Sequence, residues 1–391
     1  MQVKKQVQQL RAELIELRRD FHRHPELGLE EFRTSDRVTT YLENLGLDVN
    51  RIGKTGVVGL LRGDNTGKTL MLRADMDALP IQEQNEVPYK SIYDGKMHAC
   101  GHDGHMAMLL IAAKILSLYK EKINGNIKFL FQPNEENGYA GYLIDQGVLE
   151  NPQVDAACGI HLMSAIETGK IGIESGPVMA GMHAFNLIVK GKGGHTGFPQ
   201  ESIDPIITAA DIIQTTQIIQ TREIDVLKPT LIGFGKIKGG TTSNVIPDKV
   251  EIKGTIRHLY DAQIESETHP CNKFERIVKN ICNAHGAEYD LKYISSHSTV
   301  INDPEMTRMV KTVAENVIST KTNILPFVTM IGEDFCEFAN RVPSAFYFVG
   351  AGNKEIGADY PHHNSCFNID EDSLSIGVEM HVRTALSFLG S

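Results

Sequence analysis

Three imidazoles, a thiol and a carboxylate stand within the eight residues His98-Ala99-Cys100-Gly101-His102-Asp103-Gly104-His105. Thiolate and imidazole both bind borderline transition metals, and Gly101 and Gly104 let the backbone turn so that neighbouring side chains converge. A second cluster, Phe129-Leu130-Phe131-Gln132-Pro133-Asn134-Glu135-Glu136, is an apolar strand that ends in two adjacent carboxylates. One of them can ligate a metal while its neighbour, pointing elsewhere, acts as general base on a metal-activated water. Paired glutamates after a strand more often open a solvated helix, so this reading depends on other groups converging with them. Those groups are His161, closing a strand over 156–161, His362 and His363, following a strand over 345–350, and Asp75 and Asp77, following one over 69–74. Ligands of open α/β sheets bind beyond the carboxyl ends of strands, and ends bearing only His, Cys, Asp or Glu predict a metal centre.

The elements that must position these residues follow from periodicity. Val3, Val7, Leu10, Leu14 and Leu17 recur at spacings of three and four, which predicts a helix over 3–20. β-rich runs at 56–61, 69–74, 126–132 and 156–161 alternate with a helical pattern at 107–119, and a helix over 306–317 precedes the strand at 345–350. Strands alternating with amphipathic helices predict an α/β domain with a partly parallel sheet. The middle of the chain reads as strand 185–189, helix 205–220, strands 230–236 and 249–257, helix 274–284 and strand 288–294. That β-α-β-β-α-β order is ferredoxin-like, so the expected layout is an α/β domain over 1–182 and 297–391 interrupted by a small domain over 183–296.

Composition narrows the function classes. The 391 residues carry 39 Lys plus Arg against 49 Asp plus Glu, a formal charge of -10, with 41% hydrophobic and 23% charged residues. An acidic chain without a basic block lacks the footprint of a protein that grips nucleic-acid phosphates. The charged N-terminus and the lack of any run of 18 apolar residues predict neither a secretory leader nor a membrane span. Cys100, Cys158, Cys271, Cys282, Cys336 and Cys366 then read as reduced thiols of a cytoplasmic protein. The stretch Gly63-Asp64-Asn65-Thr66-Gly67-Lys68-Thr69 has three residues between its glycines instead of four and precedes a strand, so it reads as a β-turn and not a phosphate loop. Gly191-Lys192-Gly193-Gly194-His195 opens no evident helix, and neither HExxH nor GxSxG occurs.

Taken together the motifs resemble the M20 family of metallo-aminohydrolases, in its aminoacylase-like branch of N-acyl amino acid, hippurate and auxin-conjugate hydrolases. The resemblance runs along essentially the whole chain. It rests on Phe21-His22-Arg23-His24-Pro25-Glu26-Leu27-Gly28, Arg73-Ala74-Asp75-Met76-Asp77-Ala78-Leu79-Pro80, Cys100-Gly101-His102-Asp103, Gln132-Pro133 with Glu135-Glu136, Gly193-Gly194-His195, Asn244-Val245-Ile246-Pro247, Gly332-Glu333-Asp334-Phe335 and His363. It implies a mixed-sheet, metallo-exopeptidase-like catalytic domain with an inserted ferredoxin-like lid and dimerisation domain, and a homodimer.

By that resemblance Cys100, His102, Glu136, His161 and His363 hold two divalent ions, Glu135 is the general base, and Asp75 and Asp77 support the ligands. His195 on the lid stabilises the tetrahedral intermediate, and Asn244 and Arg257 hold the substrate's carboxylate. The resemblance makes His24 and His105 structural, and His362 stands where the family usually has an apolar residue, which counts against it as a ligand. Tyr139 and Tyr142, where the family usually runs in glycine and alanine, and Ser365, where proline is common, are departures that bear on the acyl pocket. A mixed Cys, His and carboxylate set suits manganese, zinc, cobalt or nickel. The expected activity is hydrolysis of the amide bond of N-acyl amino acids or short peptides; the alternatives are a cysteine hydrolase using Cys100, or a small-molecule or peptide binder without turnover.

Overall fold

Val, Ile, Leu and Phe fill the runs that read as strands, and eight strands assemble into one sheet in the order Asp48–Ile52, Gly56–Arg62, Asn124–Gln132, Asn65–Asp75, Ala156–Glu167, Ser344–Gly352, Ile171–Gly172 and Ile324–Leu325. The computed structural model describes residues 3–262, 266–318 and 320–390. The four central strands, from Asn124–Gln132 to Ser344–Gly352, run parallel. Ser344–Gly352 is buried throughout, as is Asn65–Asp75 from Thr69 onward. Burial on both faces explains why these sequences are continuously apolar instead of alternating. Gly56–Arg62 and Asn65–Asp75 are joined through Gly63-Asp64 but are not neighbours, because Asn124–Gln132 lies between them. The stretch expected as a plain β-turn is therefore a crossing between non-adjacent strands.

Helix His102–Ser117 is buried except at Lys114 and Ser117, the signature of a helix inside a core. It starts five residues before the predicted 107 because Gly101, at φ 91, turns the chain into it from the left-handed region, which glycine enters at little cost. Gly104 lets it approach the sheet: an added Cβ would stand 2.5 Å from Leu162 Cδ1. Each Leu or Ile fully buried on this helix contributes about 1.5–3 kcal/mol, so its first turn, which carries His102, is firmly anchored. The helix predicted over 3–20 is two helices, Val3–Gln9 and Arg11–Arg23, and Val3, Val7, Leu14 and Leu17 are buried as the periodicity requires. Helices Phe32–Asn44 and Asp372–Leu389 join them.

By contacts the chain divides into two units, one of Met1–Val178, Val300–Val328 and Asp334–Ser391, the other of Met179–Thr299 and Thr329–Glu333. The second unit has a four-stranded antiparallel sheet in the order Thr230–Gly239, Lys249–His258, Gly181–Lys190 and Glu288–His297. Helices Pro205–Thr216 and Pro270–His285 pack on one face, over Phe185, Leu187 and Val189. Both helices begin with proline behind a side-chain cap, from Asp204 and His269 respectively. No helix among the described residues is long and apolar enough to cross a membrane.

Candidate metal centre

The parallel register brings the ligand-type residues to one edge of the large sheet. Asp75 pairs with Gln132, and Arg73 pairs with Gly159, so Asp75 and His161 stand level two residues further on. His161 does not close its strand, which runs on to Glu167 and pairs His161 with Phe348. It is a strand-end residue only with respect to the shorter neighbour Asn65–Asp75. Beyond Gln132 the chain turns at Asn134, φ 55, into a short helical turn Glu135–Asn137.

Cys100, His102 and Glu136 bring one ligand atom each within 4.8 Å of one another, and Cys100, His161 and His362 form a second such group. Cys100 is common to both. Its Sγ lies 3.6 Å from His161 Nε2 and 3.8 Å from His362 Nδ1. His363 Nε2 approaches Glu136 Oε1 at 3.3 Å.

Hydrogen bonds on the far side of each ring decide which imidazoles can ligate. His102 Nδ1 donates to the Asp77 carbonyl at 2.8 Å, and His161 Nδ1 donates to the Leu162 carbonyl at 2.8 Å. A carbonyl only accepts, so in each neutral ring the lone pair is on Nε2, the arrangement of a metal-ligating histidine. His102 Nε2 is buried with no hydrogen-bond partner among the described residues, and the buried Glu136 Oε1 faces His363 Nε2 at 3.3 Å. A buried orphan nitrogen is costly unless a partner satisfies it, and the donor set of His102, Glu136 and Cys100 fits a transition metal. Hydrogen bonding to Cys100 and Glu136 pushes His363 up to about 10, so the pocket draws positive charge. Burial and the neighbouring Glu136 raise the Cys100 thiol, the opposite of what an activated nucleophilic cysteine needs.

His105 differs. Its Nδ1 donates to Asp75 at 2.6 Å and its Nε2 accepts the Leu162 N–H at 2.9 Å, so both nitrogens are used and the ring is structural, as is His24, bonded to the Asp20 carbonyl. His362 accepts the Ser164 N–H on Nε2 at 3.4 Å, which leaves Nδ1–H directed at Cys100 as a donor. It stands beside the cluster without the lone pair of a ligand.

Residues 71–387 match the family described as Peptidase family M20/M25/M40. Thermostable carboxypeptidase 1 of Saccharolobus solfataricus is 40% identical over 393 aligned residues, covering 99% of this chain and 98% of that protein. The N-acyl-L-amino acid amidohydrolase of Geobacillus stearothermophilus is 42% identical over 307 residues, covering 78% and 82%. A dinuclear metal binding peptidase of the M20 family from Bacillus subtilis has a similar crystal structure, with TM-score 0.82 and 30% identity over 98% of this chain and 99% of that one. The chain belongs to the M20 peptidase family.

In this M20 chain the ligand-type residues rest on a second set of buried groups. Asp77 accepts the backbone N–H of Glu135 at 3.0 Å and of Glu136 at 3.1 Å, so one carboxylate sets the turn that carries both glutamates. Burial alone would raise Asp75, but His102, His105 and Arg73 hold its carboxyl well below the usual range. Asp334 accepts from Arg73, from Gln132 and from the N–H groups of Tyr139 and Ala140, tying two strand ends to the loop after Glu136. The rings of Tyr139 and Tyr142 stack there at 4.7 Å. Asp103, beside His102, is bonded to Arg18 at 2.8 Å and His22 at 2.7 Å, all three fully buried. Sequence reasoning singled out neither Arg18 nor Asp334 as working parts, although Asp334 sits in the Gly332-Glu333-Asp334-Phe335 motif.

The second unit holds His195, Asn244 and Arg257. His195 lies on a two-residue strand paired with Val245–Ile246, and Thr196 N–H donates to the Asn244 carbonyl, so His195 and Asn244 are neighbours. The Gly197 N–H donates to His195 Nδ1 at 2.9 Å, which places the proton of the exposed neutral ring on Nε2. Arg257 donates to the Met330 carbonyl at 2.8 Å, and among the described residues it pairs with no surface acid.

Proposed function

We propose that this M20 hydrolase cleaves the amide bond of N-acyl amino acids, related small conjugates or short peptides at a centre of two divalent ions held by Cys100, His102, Glu136, His161 and His363. The observation that carries the reading is the buried, unpartnered Nε2 of His102 beside Cys100 and Glu136. When bound, the ions polarise the scissile carbonyl and make water a nucleophile near neutral pH. Glu135, one residue from a ligand on a turn set by Asp77, takes the water's proton and delivers it to the leaving nitrogen as the C–N bond breaks. His195, with its proton on Nε2, donates to the oxyanion, and Asn244 and Arg257 hold the substrate carboxylate. Asp75 and Asp77 orient His102 and the glutamate turn.

The second unit is proposed as a lid and homodimer surface, supported by the edge strand Thr230–Gly239, where Leu231 and Ile237 are exposed. The six cysteines, none of them in a disulfide among the described residues, support a reducing, cytoplasmic setting. The test is amine release from N-acetyl, N-benzoyl and N-indoleacetyl amino acids and dipeptides by protein stripped of metal, then refilled with manganese, zinc, cobalt or nickel. Metal-restored release supports the reading, and a protein that binds no metal refutes it. Glu135→Gln is expected to keep its metal and lose turnover by orders of magnitude.

A further inference from the structure

The segment from Glu26 to Glu31, which opens inside the motif ending at Gly28, has no part in the reading so far, yet it is built against the turn that carries Glu135 and Glu136. Helix Phe32–Asn44 starts behind it, and Glu26 serves the free N–H groups of its first turn, accepting from Arg33 at 3.1 Å and Thr34 at 2.8 Å. Glu31 stands at the N-cap position but makes no side-chain cap. Its carboxyl bonds two other segments instead. Glu31 is fully buried; Oε2 accepts the Thr55 hydroxyl at 2.6 Å and Oε1 accepts the Asn134 N–H at 2.9 Å. Thr55, also fully buried, lies between strands Asp48–Ile52 and Gly56–Arg62, and its carbonyl accepts the Ser35 hydroxyl at 2.6 Å, so this end of the contact is itself fixed.

Asn134 is the residue whose left-handed backbone, φ 55 and ψ 40, turns the chain out of strand Asn124–Gln132 into Glu135–Asn137. Asparagine tolerates that conformation better than most residues but still at a cost, so its surroundings must hold it there. Glu31 grips its N–H, and the Asn137 side-chain amide donates to its Oδ1 at 2.9 Å. Gly28 leaves room for the same oxygen, which an added Cβ would overlap. The turn is therefore held at two points. Asp77 accepts the N–H groups of Glu135 and Glu136, and Glu31 accepts that of the residue before them.

We propose that Glu31 is a positioning residue for hydrolysis, fixing through Asn134 the backbone that aims Glu135 at the nucleophilic water. The inference rests on the reading of Glu135 as general base. These hydrogen bonds of Glu31 reach no proposed metal ligand, so their loss acts on turnover and spares metal binding. Burial pushes the Glu31 carboxyl up to about 7, so a glutamine, with an acceptor for Asn134 and a donor for Thr55, copies its neutral form.

The experiment measures kcat, KM and bound metal for the full chain loaded in turn with manganese, zinc, cobalt or nickel, on the N-acyl amino acid that wild type cleaves fastest. The variants are Glu31→Ala, Glu31→Gln, Glu135→Gln and the double variant of Glu31→Ala with Glu135→Gln. Glu31→Ala is expected to lower kcat about 10- to 100-fold, as a misplaced reacting group does, with KM and metal content unchanged. Glu31→Gln should restore kcat. In the Glu135→Gln background Glu31→Ala should cost less than about twofold more, because a residue that acts through Glu135 then has nothing to position. Wild-type kcat in Glu31→Ala, or an equal loss in both backgrounds, overturns the positioning role and leaves Glu31 as a packing contact. Full turnover in Glu135→Gln refutes the general-base reading itself, and the inference with it. Should Glu31→Ala fail to fold, Thr55→Val decides: kcat is expected to fall about 3- to 10-fold as one hydrogen bond to Glu31 is lost, and wild-type kcat overturns the inference.

Discussion

Asp77→Asn tests the logic of the metal centre without touching a ligand. The Asp77 carboxylate accepts two backbone N–H groups, those of Glu135 and Glu136, at 3.0 and 3.1 Å. An asparagine amide is nearly the same shape but offers one oxygen, so one N–H loses its acceptor and faces the amide's own donors. Losing a hydrogen bond to a charged acceptor costs about 1.5–3 kcal/mol. At about 1.4 kcal/mol per factor of ten, that is on the order of 10- to 150-fold, in line with the roughly 10- to 100-fold loss typical when a group behind a metal ligand is changed. The cost falls on the turn that carries the proposed ligand Glu136 and the proposed base Glu135, so metal affinity and kcat should both drop while secondary structure is kept. Competition against a chelator of known affinity reads the first, and amine release at saturating metal reads the second. If Asp77→Asn stays within about twofold of wild type in both, Asp77 does not organise the turn and the reasoning fails.

Three other outcomes follow from the same contacts. His195→Ala should lower kcat by about 10²- to 10³-fold with metal content unchanged, as removal of an oxyanion donor does; unchanged turnover removes His195 from the chemistry. Asp103→Asn removes the carboxylate 2.8 Å from the buried Arg18 guanidinium, which keeps Glu371 at 3.2 Å, and should cost about 3 kcal/mol in urea unfolding. Arg18 and His22 hold the Asp103 carboxyl down against burial, so its stability contribution is present above about pH 3.9 and lost as pH falls below it; the variant should lack that acid limb. Burial pushes Glu31 up to about 7, with Thr55 and Asn134 opposing. A carboxyl raised on folding binds extra protons in the native state, so wild-type stability should fall as pH rises from about 4.3 through about 7, and Glu31→Gln should flatten that slope. An equally steep variant curve assigns the pH dependence to other groups.

Much of the centre was legible because its chemistry is written locally. Cys100 and His102 are two residues apart, Glu135 and Glu136 are adjacent, and Asp75 follows an apolar run that could only be a buried strand. Parallel strands of similar length end together, which is why residues placed after them converge. Boundaries were less legible. The helix start at His102 depends on the left-handed turn at Gly101, and no side chain caps it to signal the position. His161 was expected to close its strand, yet pairing with Ser344–Gly352 extends that strand to Glu167.

The amino-acid sequence by itself determined the family, the alternation of strands and helices and the inventory of ligand-type side chains, because these depend on residue type and short spacing. Only the tertiary structure decided which nitrogen of each histidine is a lone pair. His102 and His105 are one turn apart on the same helix, but a carbonyl behind one ring and an aspartate with a backbone N–H around the other give them opposite roles. It alone also brought His161 and His362 beside Cys100, which no local pattern joins, because sheet register brings together side chains that the chain keeps far apart.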